Sequence, residues 1–134
     1  MAHDLDGTRL TKAGDPRVWL MIAGERRMIN SSTVYDALFH EVSKIRNEED
    51  VESLPEGALL NEGTCLARPY GSLSIYLVTG YPMPLRHHVE TYETLVDFAF
   101  DEKKVWNVPP LVLESIPLGS PLRSGMDRAR QFNR

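Results

Sequence analysis

Cysteine is almost missing from this chain. Cys65 is the only one in 134 residues, which excludes an intrachain disulfide and a cysteine-built zinc site. Long apolar runs are missing too. Stretches such as Val18 to Ala23 fall far short of the roughly 20 residues that span a bilayer. There is no basic surplus. Fifteen Lys and Arg stand against nineteen Asp and Glu, for a net charge of −4 and a pI near 5.5. That balance argues against a general nucleic-acid-binding protein. The opening Met1-Ala2-His3-Asp4-Leu5-Asp6 lacks a basic start followed by an apolar core. The expectation is therefore a cytoplasmic protein, or one released without a conventional signal peptide. No phosphate-cradling glycine loop, no GxSxG and no HExxH occurs. What remains is an ordinary globular balance, 42% hydrophobic and 25% charged. Nine Gly and nine Pro point to many turns and short elements.

The most informative feature is an internal repeat. Asp6-Gly7-Thr8-Arg9-Leu10 returns as Glu62-Gly63-Thr64-Cys65-Leu66. Val18-Trp19-Leu20-Met21 returns as Ile75-Tyr76-Leu77-Val78, Gly24 as Gly80, and Ile29 as Leu85. Val34-Tyr35-Asp36-Ala37-Leu38 answers to Thr91-Tyr92-Glu93-Thr94-Leu95. Leu54-Pro55-Glu56-Gly57 answers to Ile116-Pro117-Leu118-Gly119, and Leu60 to Leu122. The second copy runs about five residues longer, and the extra length is placed after Leu95. Copies of this size are marginal alone, so packing them together is the expected route to a stable core.

Each copy reads as a small β-meander followed by short helices. Strands are expected at Thr8–Lys12, Val18–Ala23 and Arg26–Asn30, and again at Thr64–Arg68, Ile75–Thr79 and, as an edge, Tyr81–Leu85. Asn30-Ser31-Ser32 offers helix caps before a helix over Thr33–His40, and a second helix is expected over Val89–Phe98. One further short strand is expected in each copy, at Val42–Ile45 and Val105–Val108. Helical turns over Glu48–Leu54 and Pro110–Ile116 then stop at Pro55 and Pro117. The fold class is α+β, mainly β: two pseudo-symmetric copies sharing one core. Residues 1–122 form a single domain of two repeats, 6–60 and 62–122, and 123–134 a mobile basic tail. Leu10, Val18, Leu20, Ile22, Leu38, Ile45 and Leu54 are expected in one continuous core with Leu66, Ile75, Leu77, Leu95, Val108 and Ile116.

The order Gly-Thr-x-Leu, a Val-Tyr-Leu-Val-type strand, Gly, an aromatic-bearing helix and a closing Leu/Ile-Pro-x-Gly-x-x-Leu resembles short tandem repeats of bacterial secreted and wall-associated proteins. The resemblance covers residues 6–122, and it implies architecture and a non-catalytic binding role. It transfers no catalytic residue. Arg86-His87-His88 stands where those repeats tend to place a helix start.

The candidate chemistry is sparse. His87 and His88 are adjacent, and His3 and His40 have no fixed spacing to them, so a solvated or structural role is expected rather than a metal site. Cys65 has no base beside it. The acids Glu48, Glu49, Asp50, Glu52, Glu56 and Glu62 read as a solvated face. Trp19, Tyr76, Tyr35 and Tyr92 are expected in the core. Tyr70, Tyr81 and Trp106 fall on loops or short edges without an aromatic counterpart in the first copy. With Asn107 and the forked donors Arg26 and Arg27, they are the candidate ligand-binding residues. No cofactor or metal is expected. The functional expectation is a lectin-like carbohydrate-binding module, with duplicated units giving avidity. The alternative is a protein-interaction or assembly module that offers an edge strand or the groove between repeats. A homo-oligomer is compatible with either.

Overall fold

The computed structural model describes residues 3–39 and 41–132. His40, the end of the first expected helix, lies outside them, as do the chain's outermost residues. The protein is α+β, with two four-stranded sheets and four short helices. In the first sheet β1 (Arg9–Lys12), β2 (Asp15–Ile22) and β3 (Glu25–Met28) form an antiparallel meander, and β4 (Arg46–Asn47) adds in parallel to β1. In the second sheet β5 (Cys65–Pro69), β6 (Tyr76–Val78) and β7 (Arg86–His88) do the same, with β8 (Trp106–Val108) parallel to β5. Helix α1 (Ser32–Leu38) follows β3, and α2 (Tyr92–Asp97) follows β7. Helix α3 (Pro110–Glu114) comes after β8, and α4 (Gly125–Phe132) closes the described chain.

Local chemistry explains these boundaries. Gly14 and Gly24 each take φ near +80°, which lets the β1–β2 and β2–β3 turns close. Ser31 caps α1 by accepting from the Val34 N–H at 3.2 Å, and Thr91 caps α2 by accepting from the Thr94 N–H at 3.0 Å. The closing Pro-x-Gly segments lie along the outer edges of β3 and β7. The Arg26 N–H donates to Pro55 O at 2.7 Å and the Gly57 N–H to Arg26 O at 2.9 Å. The Arg86 N–H donates to Pro117 O at 2.9 Å and the Gly119 N–H to Arg86 O at 2.8 Å.

Two expected strands are displaced. The third strand of the second sheet is Arg86–His88, not Tyr81–Leu85. Pro82 and Pro84 have no N–H for a ladder. The 79–85 segment is a loop instead, closed by the Thr79 N–H donating to Leu85 O at 2.9 Å and the Leu85 N–H donating to Thr79 Oγ1 at 3.0 Å. The N–H groups of Ile29 and Val89 make similar bonds, to Val18 O and Ile75 O, where Leu85 was the residue expected to answer to Ile29. Val42–Ile45 is likewise not a strand. Lys44 sits at φ +65°, which breaks extended backbone, and pairing begins at Arg46.

The core divides into layers. Leu20, Ile22, Val34, Leu38 and Phe39 pack with Leu66, Leu77, Leu95, Phe98 and Phe100 in one cluster drawn from both halves. Phe39 and Phe100 stack there at 5.6 Å between ring centroids. Strand alternation sends the intervening residues to the opposite faces. Leu10, Trp19, Met21 and Val51 form an outer cluster on the first sheet, with Leu54 packed against it. Ala67, Val78 and Leu113 form another on the second, with Tyr76, Val108 and Ile116. Leu10, Leu54, Val108 and Ile116 thus belong to outer layers, not to the shared core as expected. Arg9 takes the inward place in β1 that Leu66 takes in β5, since they pair with the shared-core residues Leu20 and Leu77. Its guanidinium is spent on the loop after α1, donating to Tyr35 Oη at 2.6 Å and to Glu41 O and Ser43 O at 2.9 Å.

Candidate functional site

The expected ligand-binding residues do not converge on one place. Arg26 Nε donates to Leu54 O at 3.1 Å, and Arg27 Nε to Ala58 O at 2.7 Å. Through these bonds the two arginines brace the closing segment against β3. Tyr81 is 72% exposed in the 79–85 loop. Tyr70 is 62% exposed just after β5, where its N–H donates to Val108 O at 2.9 Å. Because β5 and β6 are antiparallel, Tyr81 and Tyr70 stand at opposite ends of that pair. Trp106 and Asn107 are both exposed on β8 and pair with Ala67 and Arg68. Tyr70, Trp106 and Asn107 therefore share one end of the second sheet. Trp106 lies on the Ala67 side and Asn107 on the Arg68 side.

A groove of about 500 Å³ lies on that Arg68 side, between β5, β6, β7 and the start of α2. Its floor is apolar, made by Ile75, Val89 and Leu95 of the shared core. Its rim is polar, made by Arg68, Ser74, His88, Glu90, Tyr92 and Glu102. Tyr92, expected in the core, is 64% exposed. It opens α2 directly after the capping Thr91, a position that points away from the packed face. The Glu102 carboxylate, hydrogen-bonded to the Tyr92 hydroxyl, raises its pKa above the usual tyrosine value. Arg68 is half-buried. Its Nε is buried without a hydrogen-bond partner, and no carboxylate pairs with its guanidinium among the described residues.

A related groove of about 430 Å³ lies between β2, β3 and the start of α1. Its arginine and its asparagine are already paired within the chain. Arg17 holds Asp15 through Nε at 3.0 Å and Nη2 at 2.6 Å, and this hydrogen-bonded pairing lowers the Asp15 pKa to about 2. Asn30 Nδ2 donates to Asn61 Oδ1 at 2.8 Å. The second groove is thus the one whose arginine has no carboxylate partner among the described residues. Asn107, a candidate from the sequence, pairs with Arg68 but does not line the groove; Arg68, Tyr92, Glu90 and Glu102 were not among the sequence candidates. The one available signal was Arg68 itself, the only charged residue in an otherwise uncharged strand.

Elsewhere the chemistry is quiet. Cys65 is half-buried, and burial pushes its thiol pKa up, which keeps it protonated at neutral pH. Among the described residues no group of three or more His, Cys, Asp and Glu could hold a metal ion, and no helix is long and apolar enough to cross a membrane. In comparisons with known proteins, no family model, curated protein or solved structure matches the chain.

Proposed function

We propose that the chain is a non-catalytic, lectin-like binding module that takes a saccharide in the groove beside β5. The observation that carries this reading is the combination of the unpaired Arg68 guanidinium, the exposed Tyr92 ring and an apolar floor in one groove. Sugar rings present an apolar face and a polar edge, and such a groove complements both. Asn107, and Tyr70 just beyond β5, would extend the surface to a neighbouring sugar unit.

The two sheets are read as copies of one unit. Supporting this are their shared strand order, with the fourth strand parallel to the first in each, and the capping residues Ser31 and Thr91. The closing straps add to it, as does the similarity to tandem repeats of wall-associated proteins. With Arg17 already paired to Asp15 in the first groove, the module takes its saccharide in the second groove alone.

The test is a broad glycan array followed by an amide chemical-shift titration. Binding is expected at micromolar to millimolar affinity, the range of shallow polar sites. Shifts should centre on Arg68, Tyr92 and Asn107, and Tyr92→Ala should weaken binding at least about five-fold. An empty array with an unmoved spectrum would refute the reading.

One observation favours a protein partner instead. Trp106, Leu111 and Val112 are all exposed, and the Ala67 face on which Trp106 lies is the one α3 covers. A partner protein docked there would use Trp106 as its anchor. Recovery of one stable protein partner that Trp106→Ala abolishes, with no retention on polysaccharide, would decide for this second reading.

A further inference from the structure

We infer that the groove beside β5 selects saccharides that carry a carboxylate, seated on the Arg68 guanidinium. This rests on the saccharide reading above and narrows it to a ligand class. The planar fork of an arginine matches a carboxylate through two parallel N–H bonds. A neutral sugar offers that fork only single hydroxyl oxygens. The buried Nε has no acceptor among the described residues, so a ligand acceptor would relieve its desolvation.

The rest of the rim has the complementary character. Glu90 and Glu102 are acceptors, suited to the hydroxyl donors of the same sugar. They also set a limit on ligand charge. Two carboxylates on the rim would repel a doubly charged phosphate more than a singly charged uronate. The first groove supplies the contrast. Its cation, Arg17, already holds a carboxylate of its own chain, Asp15, in a two-pronged pairing. In the second groove neither rim carboxylate pairs with Arg68 among the described residues, and the ligand brings the partner.

The experiment compares the methyl glycoside of galacturonate, which carries one carboxylate, with its methyl ester, which keeps the hydroxyls and removes the charge. Each is titrated into the ¹⁵N-labelled full chain. The acid is expected to bind about ten-fold more tightly than the ester and to shift the Arg68 Nε–H resonance. Arg68→Gln, with its amide spectrum checked for retained fold, should bring the two affinities together. Arg68→Lys should fall between, since it keeps charge without the fork. Equal affinity of acid and ester for the unmodified chain, or an undiminished preference in Arg68→Gln, overturns this inference and leaves the saccharide reading standing. Binding of neither compound, together with an empty array, overturns both.

Discussion

His87 and Arg27 perform one task with different side chains. Each donates to the carbonyl that follows a closing glycine: Arg27 Nε to Ala58 O at 2.7 Å, His87 Nδ1 to Ser120 O at 2.8 Å. Gly119 is required beside the imidazole, because a Cβ there would sit 2.6 Å from His87 Cε1. Burial pushes the His87 pKa below its ordinary value, the Ser120 carbonyl opposes this, and the positive charge of Arg27 adds to the lowering. The folded state therefore holds His87 neutral, while the unfolded chain protonates it near pH 6.5. Its stabilising contribution is complete above that pH and is lost as pH falls toward the lowered folded value. One proton bounds the slope at about 1.4 kcal/mol per pH unit. Denaturant midpoints at pH 7.5 and 5.5 should differ for the unmodified chain and differ less for His87→Gln. An equal difference in both would remove His87 as the cause. A sequence shows two adjacent histidines but not that a strand turns one inward beside an arginine sixty residues away in chain order.

At the scale of elements, α4 is the one that composition conceals. The segment reads as a basic tail because it carries little apolar content, yet it forms a helix tied to both halves. Arg128 Nη1 donates to Asp6 Oδ2 at 2.9 Å, and Arg130 Nη2 to Asp97 Oδ2 at 2.8 Å. The buried Asp127 accepts from the hydroxyls of Thr91 and Thr94 at the start of α2. Gly125 sits where a Cβ would lie 2.0 Å from Asp4 O, so the helix enters hard against the N-terminal turn. Asp127→Ala leaves two hydroxyls and Arg123 without their acceptor, and should cost about 2–3 kcal/mol in a chemical melt. Arg130→Ala breaks a half-exposed pair and should cost less than about 1 kcal/mol. Equal losses would mean that the helix is held by its surface charges alone. These anchors were illegible because each joins residues distant in the chain and follows no period. The meanders were legible for the opposite reason: turn glycines and alternating apolar residues are local signals. The exception, β7, was displaced because the strand that precedes it ends in a longer loop, and the alignment assigned that loop's residues to the strand. The groove was not legible: Asn107 only pairs with Arg68 on the neighbouring strand, and Arg68 and Tyr92 gain meaning only when β5 and α2 are brought side by side.

Across the whole molecule, the halves are joined by more than adjacency. Phe39 and Phe100 form an antiparallel bridge, the Asp101 N–H donates to Leu38 O at 2.9 Å, and Lys104 Nζ donates to Phe39 O at 2.6 Å. Separating the halves would expose the inward faces of both sheets. Phe39, Phe98 and Phe100 alone, at about 1.5–3 kcal/mol for each buried ring, represent roughly 5–9 kcal/mol. A domain of this size has only about 5–15 kcal/mol in total. Neither half is expected to stay folded without that burial, even though each keeps its own outer cluster. Fragments divided between Asn61 and Glu62 should therefore lack dispersed amide resonances when apart. They should regain them on mixing, because the shared cluster then re-forms between chains. Full dispersion and a cooperative melt in either fragment alone would show that the outer clusters of Trp19 and Ala67 suffice. The central layer would then be an interface between two domains rather than a core.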